Sequence, residues 1–85
     1  MGEYKLFFKK SVQKDFNTIP KNDLRIILNR IEALTKDPRP PGCEILTGQE
    51  RYRLRQGQYR IAYSIQDYEL TVWVIKVGHR KHIYR

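Results

Sequence analysis

With a single cysteine, Cys43, the 85-residue chain has no internal disulfide framework, and it fits a reducing compartment. No apolar run approaches the ~20 residues that a membrane helix needs. Met1 to Lys10 lacks the long apolar stretch of a secretion signal, so a cytoplasmic protein is expected. There is no glycine-rich phosphate loop, and no pair of carboxylates stands at a spacing suited to two-acid catalysis. The two histidines, His79 and His82, are three apart and far from Cys43, which leaves a zinc site short of ligands. Neither a metal nor a cofactor is expected. Repeats, low-complexity tracts and linkers are missing too. At 40% hydrophobic residues, with five Gly and four Pro, the chain is too apolar for disorder and reads as one domain over residues 1–85.

Positive charge is what the sequence has in excess. Residues 51–85 contain eight Lys and Arg against two acids, Asp67 and Glu69, so this third carries +6 of the net +8. Arg51, Arg53 and Arg55 occupy alternate positions of one strand-like run and share a face. Like charges on one sheet face repel, so the pattern works against stability and marks a surface for a polyanion.

Hydrophobic periodicity outlines the fold. Tyr4, Leu6 and Phe8 alternate with Lys5, Phe7 and Lys9 as a first strand. Phe8, Val12 and Phe16 then recur every fourth residue along a first helix, which Asn17-Thr18-Ile19-Pro20 ends. Leu24, Ile27, Leu28, Ile31 and Leu34 predict a second amphipathic helix, with Arg25, Asn29, Arg30 and Glu32 toward water. Asp37 to Gly42, with three prolines, reads as an extended loop. Three strand-like runs follow, over 51–55, 59–66 and 70–78, joined by connectors short enough for hairpins. The expected architecture is α+β, an antiparallel sheet of about four strands with two N-terminal helices on one face, in the order β-α-α-β-β-β.

Arg51, Arg53, Arg55 and Arg60 are the strongest candidates for function, because they converge on adjacent strands. Together with Arg80 and Tyr84 they can form a cationic bowl for a phosphodiester. Tyr52, Tyr59, Tyr63 and Trp73 are expected in the core or in strand pairs, and Lys9, Lys10 and Lys14 in solvent.

The order of elements, with Tyr52-Arg53-Leu54-Arg55, Gln58-Tyr59-Arg60-Ile61-Ala62-Tyr63 and Val77-Gly78-His79-Arg80-Lys81-His82-Ile83-Tyr84-Arg85, resembles the RelE family of the RelE/ParE toxin superfamily over essentially the whole chain. The resemblance implies a toxin of a type II toxin-antitoxin module that cuts messenger RNA in the ribosomal A site without a metal. It implies three partners: the ribosome, mRNA and a cognate antitoxin, acidic or amphipathic. By the motif match, Arg53, Arg60, Arg80 and Tyr84 would be catalytic, and Arg51, Arg55, His79, Lys81 and His82 would bind RNA. Positions 51 and 53 often carry lysines in that family, and an arginine cannot surrender a proton as a lysine can. The general base is therefore open among Tyr84, His79, His82 and Glu44, with capping of the strand end the alternative role for His79. A ParE-like inhibitor of DNA gyrase and a non-enzymatic RNA-binding module are the alternatives.

Overall fold

A computed structural model describes residues 3–46 and 51–79. The elements run β1 (Lys5–Phe8), α1 (Lys10–Asn17), α2 (Lys21–Ala33), β2 (Glu44–Leu46), β3 (Arg51–Gln56), β4 (Tyr59–Gln66), a 3-10 turn (Asp67–Glu69) and β5 (Thr71–His79). They build one sheet in the order β1-β5-β4-β3-β2. The α+β class and the two helices on one face are as expected. Two details differ: the sheet has five strands, and β1 pairs parallel to β5 while the other pairs are antiparallel.

The extra strand is β2, which follows the proline loop directly. Glu44, Ile45 and Leu46 show no alternation that would announce a strand, and they become one only by pairing with Arg53, Tyr52 and Arg51. The β3–β4 hairpin has a two-residue connection whose first residue, Gly57, has φ +60, a conformation that glycine reaches without steric cost.

The core lies between the helices and one sheet face. Val12, Ile19, Ile27, Ile31 and Leu34 pack against Leu54, Ile61, Tyr63, Ile65, Val72, Val74 and Val77. Each buried Ile or Leu contributes roughly 1.5–3 kcal/mol through apolar burial. Leu28, expected on the buried stripe of α2, is exposed, because the inward arc is narrower and centres on Ile27, Ile31 and Leu34.

A β-bulge in β5 lets both halves of that strand feed the core. Ala62 pairs with Lys76 but Tyr63 pairs with Val74, so Ile75 is the extra residue. Val72 and Val74 before it, and Val77 after it, therefore face inward despite their unequal spacing. Beyond the reach of β1, the outer edge of β5 meets α1 instead: the Val77 amide donates to the Asp15 carboxylate at 3.0 Å.

Two tyrosines tie the proline loop to this frame. Tyr63 is fully buried and its hydroxyl donates to the Pro38 carbonyl at 2.8 Å. Tyr52 stacks on Tyr63 at 5.7 Å between ring centroids, and its hydroxyl accepts from Arg39 Nε at 3.1 Å. Arg39 in turn forks onto both Asp67 oxygens, at 2.8 and 3.3 Å.

Candidate functional site

The sheet face turned away from the helices carries the arginines. Residues paired across antiparallel strands share a face, so Arg55 and Arg60 stand together, Arg53 stands beside Ala62, and Arg51 stands beside Ser64. Leu54 and Tyr52 point the other way, into the core, as alternation predicts. Gly78 pairs with Arg60 on the far side and adds no side chain to that row.

At the edge of this face, where β2 begins, a cleft of about 370 Å³ opens. Arg53, Arg55 and Arg60 line it, together with Glu44, Pro41 and Gly42 from the loop side and Arg30 from α2. Arg60 is only 5% exposed, so its charge is held at low mobility and largely out of water. Such a guanidinium is oriented in advance for an anion that enters the cleft.

Glu44 is the acid that local sequence did not offer to these arginines. Register sets it opposite Arg53, and its carboxylate accepts from Arg53 Nη2 at 2.7 Å and from Nε at 3.1 Å. The Arg53 hydrogen bond and charge hold the Glu44 carboxyl below the usual carboxylate range. A carboxylate that is harder to protonate is a weaker proton acceptor, and its evident role here is to orient Arg53.

Arg30 is a cleft residue that periodicity assigned to water. It lies three residues after Ile27 and directly before Ile31, at the border of the buried stripe, and it is half-buried. Its Nε is buried and meets no hydrogen-bond partner among the described residues. The adjacency to Ile27 and Ile31 was the available signal in the sequence.

His79 stands apart from the arginine cleft. Its partner in register is Tyr59, on the helix-covered face, and the imidazole meets the Tyr59 ring edge-on at 5.9 Å. It borders a separate hollow of about 390 Å³ with Asp15, Thr18 and Lys76. Burial raises the Tyr59 pKa, with Asp23 adding to the effect. Arg80, Lys81, His82 and Tyr84, also expected at the site, lie outside the described residues. Among the described residues no three His, Cys, Asp or Glu side chains cluster as metal ligands.

The aromatics expected in the core or in strand pairs divide between the two faces. Trp73, in register with Phe7, is 38% exposed on the open face and stacks on Phe7, 43% exposed, at 5.1 Å between centroids. Tyr63, by contrast, is buried as expected.

The family described as "ParE toxin of type II toxin-antitoxin system, parDE" matches residues 6–84. The chain belongs to the RelE/ParE family of type II toxins. Toxin RelG of Mycobacterium tuberculosis is 29% identical to it over 86 residues, covering 96% of this chain and 97% of RelG. Among solved structures, the RelBE2 toxin-antitoxin complex of M. tuberculosis superposes with a TM-score of 0.81 at 25% identity, covering 92% of this chain and 99% of that one. The archaeal RelE-RelB complex of Pyrococcus horikoshii OT3 gives 0.80 at 27% identity, covering 94% and 98%. The open arginine face is thus a feature of a RelE/ParE toxin, and no helix among its described residues is long and apolar enough to cross a membrane.

Proposed function

We propose that this toxin is a ribosome-dependent endoribonuclease that acts in the cytoplasm on messenger RNA in the A site. The observation that carries the proposal is the cleft in which Arg53, Arg55 and Arg60 meet from two strands, with Arg60 buried. A phosphodiester is an anion of the right size, and forked guanidinium donors match its oxygens.

The reaction is attack of a ribose 2'-oxygen on the adjacent phosphorus, with rupture of the bond from phosphorus to the 5'-oxygen. It leaves a 2',3'-cyclic phosphate and a 5'-hydroxyl; the proton lost by the 2'-hydroxyl goes to a base, and the departing oxygen gains one. Arg60 and Arg53 stabilise the charge that grows on the phosphorane, and Arg55 and Arg51 hold the flanking backbone. Arg80 and Tyr84 join them by the motif match, Tyr84 near the reacting sugar. Glu44 is engaged by Arg53 and His79 faces the other side of the sheet, which favours Tyr84 or His82 as the base.

The partner proposed for control is a cognate antitoxin with an acidic surface, complementary to the net charge of +8. The relatives with solved structures named above are complexes of a toxin with its antitoxin.

Primer extension on mRNA from cells expressing the protein tests the reading. Breaks inside translated codons are expected, and Arg60→Ala is expected to lose about 10²-fold or more in cleavage rate with modest loss of binding. Unbroken mRNA together with inhibited DNA supercoiling would replace this reading with a gyrase-directed one. Equal cleavage by Arg60→Ala and wild type would remove Arg60 from catalysis.

A further inference from the structure

The cleft accounts for phosphate recognition but leaves an exposed aromatic pair on the same sheet face. Phe7 and Trp73 are paired in register between β1 and β5, and their rings stack at 26°. Trp73 belongs to one row across the sheet with Ser64 and Arg51. With a rise of ~3.3 Å per residue and strands ~4.8 Å apart, the Trp73 and Arg53 backbones lie about 12 Å from each other. That distance is on the order of two to four nucleotides of a single strand.

The ground between them is low. Ser64 and Ala62 are the β4 residues that separate the aromatic pair from Arg51 and Arg53, and Gln66 donates to the Ser64 hydroxyl at 3.2 Å. Ser64 and Ala62 are small, and the Gln66 side chain lies against Ser64 at the aromatic end. A sheet surface that joins exposed rings to arginines suits an unstacked nucleic-acid strand, whose bases find π-faces while its phosphates find guanidinium groups.

We infer that Trp73, backed by Phe7, is a base-stacking platform that holds one nucleobase of a single-stranded RNA whose phosphates occupy the arginine cleft. The inference rests on the nuclease reading and extends it: the platform positions the strand and has no part in bond breaking. An apolar side chain of an acidic protein partner is the competing occupant. Continuity with Arg51 along one row favours RNA, because the aromatic pair and the cationic cleft then serve one extended ligand.

Trp73 is the sole tryptophan of the chain, so tryptophan fluorescence, excited to the red of the tyrosine band, reads this position alone. The probe is a 2'-O-methyl RNA hexamer, which lacks the attacking hydroxyl, compared with the same hexamer made abasic. The full-length protein at low salt is expected to bind the hexamer with quenching of Trp73. The abasic strand is expected to bind roughly five- to hundredfold more weakly, and without quenching. Trp73→Ala should weaken hexamer binding by a similar factor and leave abasic binding unchanged, and Trp73→Phe should restore most of the loss; thermal melts check that both fold.

Hexamer binding with unquenched Trp73 overturns the inference, as does equal hexamer affinity of Trp73→Ala and wild type. Quenching by an acidic peptide but not by the hexamer assigns the pair to a protein contact and overturns it as well. Codon-internal mRNA breaks beside an unquenched tryptophan would remove the platform alone. Absence of both hexamer binding and mRNA breaks would take the nuclease reading with it.

Discussion

Removing one oxygen atom from the core tests how the proline loop is held. Tyr63 is fully buried, and its hydroxyl donates to the carbonyl of Pro38, itself buried, at 2.8 Å. Tyr63→Phe keeps the ring and its stacking on Tyr52 but strips the carbonyl of this donor. An ordinary hydrogen bond contributes about 1 kcal/mol net, and a buried acceptor left without a donor raises the cost to about 1–3 kcal/mol. In a domain of this size each kcal/mol corresponds to roughly 4–8 °C of melting temperature. Tyr63→Phe is therefore expected to lower the melting temperature by about 4–24 °C, read by circular dichroism at neutral pH. Tyr52→Phe is the control, since its hydroxyl accepts from Arg39, a side chain 42% exposed, where water can replace the bond. A Tyr63→Phe protein that melts within about 2 °C of wild type, or above Tyr52→Phe, would refute the reasoning. Burial also pushes the Tyr63 hydroxyl pKa well above its ordinary value, so this bond should persist until strongly alkaline pH and weaken only as the hydroxyl ionises.

Two further outcomes follow from the charges. Glu44→Gln removes the negative charge from the cleft, and it should tighten binding of single-stranded RNA by roughly three- to tenfold at low salt while the gain shrinks as salt rises; unchanged affinity would mean that phosphate does not approach Glu44. The Asp67 carboxyl is held below its ordinary pKa by Arg39 first and Tyr4 second, so its contribution to stability is complete above about pH 3.9 and disappears as pH falls through the lower, folded value. Asp67→Asn should therefore melt below wild type at pH 6 and converge with it toward pH 2.5, and a gap that stays constant over that range would contradict the assignment.

Much of the architecture was legible because its signals are local. The Leu24-to-Leu34 spacing marked α2, and alternation in Arg51–Arg55 and Tyr59–Gln66 marked β3 and β4 with their faces correctly assigned. What escaped depends on distant partners. Three residues after a proline loop carry no strand signal, and β2 exists because Arg51–Arg53 is there to pair with it. The same pairing supplied Glu44 to Arg53, nine residues away, a match that only the strand register makes. Trp73 was hidden within the apolar run of β5, where the bulge at Ile75 shifts alternation and blurs which residues face inward. The cleft itself was half visible: sequence brought Arg53, Arg55 and Arg60 together, whereas Arg30 enters from another layer.

The Asp15 carboxylate on the Val77 amide has a bearing on how the protein behaves in company. An unfinished strand rim invites a second chain to add itself, the route to swapped dimers and fibrils. Here a helix plugs that rim with a charged group, reinforced by Lys76 at 3.9 Å, so neighbouring copies find little there to zip onto.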